Sequence, residues 1–413
     1  MSSNINQRSW AKEKRNDFQL KIILFIISPF LSMLYSIRRL NTKSSFVVLY
    51  LYCLFFGMAF TTTSGRTDFV TSDSASYRLK FENWLYYTFD NYLQGLLGFL
   101  EFDSGRKDYF FETVAFFITR ITENYHFFFL AIAAIYAFFM LKSLRYLVTL
   151  KEFKVTFVGL LLVYFFLDKN IFGINGVRFW TAYWIAVYCV FKIYVDDNKK
   201  YFLLVAITPF FHGAYWVFIA IITMHQIFKS KPKILVPFFV FSIFFGLVSL
   251  QLINAVSDFM PPFLQKLIAS YTDEEYIELR STAAGYGWWT MTILENVKFV
   301  FVNLLIYLFI LKQKEISQED QKVFSFVLFW MIIFNMFINI PSLGWRFFPL
   351  VYPHIAYLWL KTFGLKKHTM VLLFLPVAFA WDIIEIYRRV QIHIPLDLFY
   401  KNPVFLIYEY LVS

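Results

Sequence analysis

The chain alternates long apolar runs with short basic clusters. Runs close to the roughly 20 residues a helix needs to cross a bilayer fall at 20–36, 46–62, 125–143, 155–168, 174–195, 234–252, 291–311, 323–340, 346–360 and 369–386. Lipid offers exposed backbone no hydrogen-bond partner, and the short alternating strands of a membrane barrel are missing from the pattern, so the runs predict helices. The expected fold class is an all-α polytopic membrane protein with about 11 to 12 transmembrane or re-entrant helices. No soluble domain, repeat or low-complexity tract intervenes. Residues 1–413 thus read as a single transmembrane domain with two polar, extracytoplasmic excursions, 63–124 and 253–290.

Lys and Arg positions orient the runs. Clusters around Arg38–Lys43, Lys142–Lys154, Lys192–Lys200, Lys229–Lys233, Lys312–Lys322 and Lys361–Lys367 are placed inside. The Asp168–Gly173 link, the Pro341–Arg346 turn and the acidic loop with Asp273, Glu274, Glu275 and Glu278 then face out. Two segments strain this scheme. The stretch 201–228 begins and ends beside inside charge; its length of about 42 Å as helix is too long for one straight span and too short for two. Pro209 and Gly213 interrupt it, which predicts a broken or hairpinned segment with His212 at the break. A full span at 20–36 would put the basic N-terminal tail outside, unless Pro29 bends it into a re-entrant or interfacial helix. The alternation requires 201–228 to enter and return, with His212 facing the outer half of the membrane, while the N-terminal segment stays open.

Composition narrows the function. Apolar residues make up 59% of the chain and charged ones 16%, against about 25% charged in soluble domains, which excludes an ordinary cytoplasmic enzyme. The formal charge of +11 is accounted for by loops held at an anionic membrane surface, so membrane lipid, not nucleic acid, is the expected partner. The first seventeen residues are polar and basic, and the apolar run after them lacks a small-residue cleavage site, which reads as an anchor. Cys53 and Cys189 lie in apolar runs and form no ligand cluster. Gly-rich phosphate loops, His-Glu-x-x-His, Gly-x-Ser-x-Gly and Cys-x-x-Cys are missing, so neither a metal nor another cofactor is expected.

Unusual polar groups fall on the predicted outer side: Arg66, Asp73, Arg178, His212, Arg280 and Arg346. Each has a structural alternative. Asp73 fits a helix N-cap, Arg178 and Arg346 could snorkel, His212 could bond the carbonyl that Pro209 frees, and Arg280 could pair with Glu278. Taken together, arginines that recognise phosphate bidentately beside groups able to take a proton point to a diphosphate-bearing lipid substrate in a shared outward cavity. The amphipathic stretch Leu79–Phe102, with Trp84, Tyr86, Tyr87, Phe89 and Tyr92, is expected at the membrane interface.

In order, Gly65-Arg66, Asp73 and Tyr77, Glu112, Asn175-Gly176-Val177-Arg178 and Phe211-His212-Gly213 make the chain resemble the EpsG and Wzy-type polysaccharide polymerases over roughly residues 20–360. The resemblance implies an enzyme that joins undecaprenyl-diphosphate-linked oligosaccharide units at the outer face of the bacterial inner membrane. It implies a GT-C-like arrangement with extracytoplasmic amphipathic loop helices, metal-independent glycosyl transfer and a chain-length regulator protein as partner. Arg178 and Arg346 would neutralise the leaving diphosphate, His212 or Asp73 would act as base, and Arg66, Tyr77 and Arg280 would contact substrate. The competing readings are a flippase or transporter of lipid-linked sugars and an O-antigen ligase.

Overall fold

Pro29 decides the first element. In the computed structural model, which describes residues 9–62, 73–102, 107–228, 231–245, 288–338, 343–394 and 401–412, the run at 20–36 is split between α1 (Arg15–Ile27) and α2 (Pro29–Ile37). Ser28 between them is extended (φ −153°, ψ 108°), and its side chain accepts the Leu31 N–H, as a proline at the first helical position favours. The Ser32 hydroxyl donates to the Lys21 carbonyl at 2.7 Å and the Tyr35 hydroxyl to Asp17 at 2.7 Å, so the helices fold back on each other. At about 20 and 14 Å, neither is long enough to cross a bilayer. Fully buried Lys21 pairs with Glu13 and with Asp17, and Arg39 reaches Asp17 at 3.6 Å. The start of α1 and the residues just after α2 therefore lie together. Of the two conformations left open for this segment, the one bent at Pro29 is observed.

The chain divides into two compact units, residues 1–219 with 384–413, and residues 220–383. In the first, α3 (Lys43–Ala59) is followed by α4 (Asp73–Trp84), α5 (Phe89–Leu100), α6 (Phe110–Thr119), α7 (Tyr125–Val148), α8 (Phe157–Phe166), α9 (Val177–Val190) and α10 (Phe202–Phe211). Polar residues just ahead of the apolar runs start these helices: Thr42, Thr88, Asn124 and Thr156 each accept a backbone N–H of the first turn. Helices α3 and α7 approach closely because Gly57 has no side chain; a Cβ there would lie 2.3 Å from that of Ala133. Helix α9 packs on α7 and α10. The Tyr136 hydroxyl of α7 and the Trp184 indole of α9 donate to carbonyls of the 169–170 turn at 2.7–2.8 Å, satisfying backbone that the break before α9 exposes.

The division between the units falls within α11 (Trp216–Phe228). The second unit contains α12 (Pro232–Phe245), α13 (Trp288–Leu311), α14 (Gln321–Met336) and α15 (Tyr352–Phe363). Buried polar side chains link its helices: Asn335 donates to Asn303 at 2.9 Å and to Ser242 at 3.3 Å, and His225 meets Ser325 at 3.0 Å. Such bonds substitute in lipid for the hydrophobic drive available in water. The run expected as one span at 369–386 is built as α16 (Thr369–Leu373), α17 (Leu375–Ala378) and α18 (Ala380–His393), bent by 46° around Phe379. Helix α18 leads back to the first unit, where α19 (Pro403–Val412) stacks Tyr410 on His126 at 3.9 Å.

Every regular element among the described residues is helical. Long enough and apolar enough to cross a membrane are α7, the stretch Phe157–Val195 containing α8 and α9, and Thr292–Leu311 of α13, with the bent pair 369–378 and 380–388 as a fourth. Shorter apolar helices such as α3, α12 and α14 accompany them. Side chains such as Ile234, Phe238, Phe241, Leu304 and Leu311 stand exposed on these helices, as on a surface that meets lipid. The molecule is a membrane protein. Arg66, Arg280 and residues 253–287 of the acidic loop lie outside the described residues.

Candidate functional site

The break in the 201–228 stretch is built as the sequence predicts, with one difference. Pro209 cannot donate to the Val205 carbonyl, and that carbonyl is taken by the Thr208 hydroxyl at 2.7 Å. His212 is therefore not needed to satisfy it. Helix α10 ends at His212, whose backbone is extended (φ −158°, ψ 123°), and the turn Gly213–Tyr215 follows. The imidazole Nδ1 accepts the Ala214 N–H at 3.1 Å, and the His212 carbonyl accepts the Tyr215 N–H at 2.9 Å.

Gly213 admits the segment that precedes α6. The Tyr109 N–H donates to the Phe210 carbonyl at 3.0 Å, and a Cβ on residue 213 would lie 2.4 Å from the Lys107 carbonyl oxygen. This close approach carries Asp108 into the break, where its Oδ2 accepts the Gly213 N–H at 3.4 Å. Gly213→Ala must push backbone against backbone. It is expected to cost about 1–3 kcal/mol of stability, read as a lower Tm of the detergent-solubilised protein; an unchanged Tm would show that the contact yields.

The other carboxylate oxygen of Asp108 accepts from Arg178 Nη1 at 2.7 Å. Arg178 stands in the first turn of α9, where the helix dipole disfavours a cation, and Asp108, with its side chain only 4% exposed, compensates. Arg178 Nε also donates to the Tyr77 hydroxyl at 3.3 Å, and the guanidinium carbon lies 5.8 Å from that ring's centre. Among the described residues these bonds use Nε and Nη1, while 31% of the Arg178 side chain remains exposed. Phe179, the next residue, sets its ring edge-on to His212 at 5.1 Å. Arg178 and the His212 turn are thus joined twice, through Asp108 and through Phe179.

Of the residues singled out from sequence, Tyr77, Arg178 and His212 come together here. Asp73 opens α4, one turn before Tyr77. Arg346 belongs to the second unit, in the helical turn Gly344–Phe347, beside Trp345, whose ring lies 5.6 Å from the Lys298 ammonium. Lys298 is itself buried and paired with Asp382 at 2.8 Å. Sequence reasoning passed over Asp108, which reads as one more acid in a polar excursion; its signal is its place just ahead of the apolar start of α6. Lys169 was also passed over. It pairs with buried Asp168 at 2.7 Å and lies 5.3 Å from the Trp180 ring centre on the approach to α9. Among the described residues no three His, Cys, Asp or Glu side chains group as metal ligands.

An arginine, a carboxylate and an imidazole gathered around a helix break in a helical membrane protein mark a candidate functional site. Compared with known families, the chain matches the EpsG family over residues 49–391. It belongs to the EpsG family. The match includes Tyr77, Asp108, Arg178, His212 and Arg346, and leaves the α1–α2 hairpin and α19 outside. Membership points to a polysaccharide-polymerase type of role with glycosyltransferase-like activity on a lipid-linked substrate. No curated protein and no solved structure matches the chain.

Proposed function

We propose that this protein polymerises undecaprenyl-diphosphate-linked oligosaccharide repeat units at the outer face of the bacterial inner membrane, within a GT-C-like membrane architecture. The observation that carries this reading is Arg178, held by Asp108 and Tyr77 at the mouth of α9 with part of its guanidinium exposed beside the His212 turn. An arginine fork suits phosphate oxygens, and the N–H groups at the start of α9 add to the pull on an anion.

In the proposed step a sugar hydroxyl of the incoming unit attacks the anomeric carbon of the growing chain. The new carbon–oxygen bond forms as the bond to the diphosphate breaks, and that electron pair leaves on the diphosphate oxygen. The hydroxyl proton passes to a carboxylate, for which Asp73 at the head of the Tyr77 helix is the candidate. Arg178 stabilises the charge on the departing diphosphate, the largest electrostatic demand of the reaction. Arg346 on the second unit, and Arg66 and Arg280, are proposed as further phosphate or sugar contacts.

The test is the surface glycan of a deletion strain. Lipid capped with a single repeat unit, restored to a long ladder by the wild-type gene, is the expected result. Repeat units stranded on their carrier in the cytoplasm would make the protein a transporter. Long polymer left unattached to its final acceptor would make it a ligase.

A further inference from the structure

In the N-terminal hairpin of α1 and α2 the polar residues are inside and the apolar ones outside. Between residues 17 and 37 the buried positions are Asp17, Lys21, Ser28, Pro29, Ser32 and Ser36. Phe18, Ile23, Ile26, Ile27, Leu31 and Leu34 face outward, each 42–59% exposed. A hairpin surrounded by water arranges itself the opposite way, because apolar burial drives its folding. In hydrocarbon, polar groups gain by meeting one another and apolar ones lose nothing by facing out. The ionic core is built for such a place. Fully buried Lys21 meets Glu13 and Asp17, and Arg39 reaches Asp17, so two cations balance two carboxylates. Lys21 also donates to the Ser44 hydroxyl at 2.7 Å and the Thr42 hydroxyl at 3.3 Å, at the start of α3. Charges withdrawn from water are tolerated when they are neutralised and hydrogen-bonded in this way.

Dimensions and charge set the level of the hairpin. Residues 18–27 rise about 15 Å as helix, half of a hydrocarbon core of about 30 Å. The Ala11 N–H donates to the Asn41 carbonyl at 2.9 Å, so the chain enters and leaves the hairpin at one base. There Trp10 sets its ring edge-on to Phe46 at 4.7 Å, with the Arg145 guanidinium 5.3 Å from its ring centre. Arg145 stands in the last turn of α7, a helix long enough to cross the membrane. The base therefore lies at a membrane boundary, and from it both helices pack along α3. Lys12, Lys14, Arg15, Arg38 and Arg39 are exposed around the base, whereas Glu13 and Asp17 turn inward to Lys21. Outward positive charge at that level matches acidic phospholipid headgroups.

We infer that the α1–α2 hairpin is a wedge inserted into a single leaflet, the one at the Arg145 end of α7. Its outward isoleucines and leucines lie among acyl chains, its bend at Pro29 lies near the bilayer midplane, and its basic base lies among acidic phospholipid headgroups. The partner is the bilayer itself. The hairpin stands outside residues 49–391 matched to the family, and its role in seating the chain is independent of the polymerase reading.

The test uses full-length protein in vesicles of phosphatidylcholine and phosphatidylglycerol, with one cysteine introduced at an exposed position: Lys12→Cys, Ile27→Cys or Arg38→Cys. The native Cys53 and Cys189 are buried. A membrane-impermeant maleimide should label positions 12 and 38 from the same face and position 27 from neither. A fluorophore attached in detergent at position 27 should be quenched more by lipids brominated deep in the acyl chain than by those brominated near the headgroup, with the order reversed at 12 and 38. At position 12, headgroup-proximal bromines on phosphatidylglycerol should quench more than the same bromines on phosphatidylcholine, a difference lost in high salt. Leu31→Cys, also exposed, repeats the deep measurement if Ile27→Cys fails to accumulate. Labelling of position 27 by the aqueous reagent would put the hairpin outside the bilayer, and equal shallow quenching at all three positions would lay it flat among headgroups. Position 27 shielded from both maleimide and bromines would mean that protein covers it, a second copy included. Each of these results overturns the inference, and equal quenching by the two lipids at position 12 overturns its acidic rim.

Discussion

Arg178→Lys should abolish long-chain glycan as completely as Arg178→Ala, although it keeps the charge. The guanidinium does several things at once. Its Nη1 meets Asp108 at 2.7 Å, its Nε meets the Tyr77 hydroxyl at 3.3 Å, and part of it stays exposed. A planar fork with fixed donors can divide its faces between protein anchors and a phosphate. A lysine ammonium is a single point: pulled to Asp108 it is withdrawn from the substrate, and released to the substrate it leaves a buried carboxylate unpaired. The expected loss is about 10² to 10³ in turnover, as for removal of a preorganised anion donor. Glycan ladders beside an immunoblot of membrane protein would measure it. A normal ladder in the lysine variant would reduce Arg178 to a cation that reaches toward lipid headgroups.

Asp108→Ala should be the most damaging change to the first unit, and Asp108→Asn distinctly milder. The carboxylate is buried and bridges two elements, α9 through Arg178 and the His212 break through Gly213. Deleting it leaves a partly buried cation and a backbone N–H without their acceptor, a class of change that costs about 3–5 kcal/mol. Asparagine can still accept the Gly213 N–H while losing the ionic attraction. Both variants should lose long polymer, because Arg178 is no longer aimed, while Tm falls much further for alanine. Removing Arg178 as well should recover part of the lost stability, with a coupling of about 1–3 kcal/mol between the two positions. Strict additivity would mean that the 2.7 Å pair contributes nothing.

The legible part of this molecule was the part written in local order. Pro209 and Gly213 within one apolar stretch announced a broken helix, and His212 does stand at the break. Pro29 offered a bend, and the hairpin is there. Several helices start at polar residues just ahead of the apolar runs, Thr42, Asn124 and Thr156 among them, where a side-chain oxygen takes a first-turn N–H. The 46° bend within the run at 369–386 was not legible, because hydropathy averages over Phe379. Asp108 was invisible because its importance lies in a partner 70 residues away. Thr208, not His212, answers the carbonyl left by Pro209, a choice made by side-chain reach that no spacing reveals.

Hydropathy and charge by themselves determined that the chain is helical and meets lipid, since backbone in a bilayer has no other way to satisfy its hydrogen bonds. They also marked where proline and glycine must interrupt it, because those residues act on their own backbone. Only the tertiary structure decided that Tyr77, Asp108, Arg178 and the His212 turn form one connected group, and which nitrogen of His212 is engaged. Hydrogen bonds between distant segments depend on distances of a few tenths of an ångström, set by packing such as the contact of Gly213 with Lys107, and a linear pattern does not contain them.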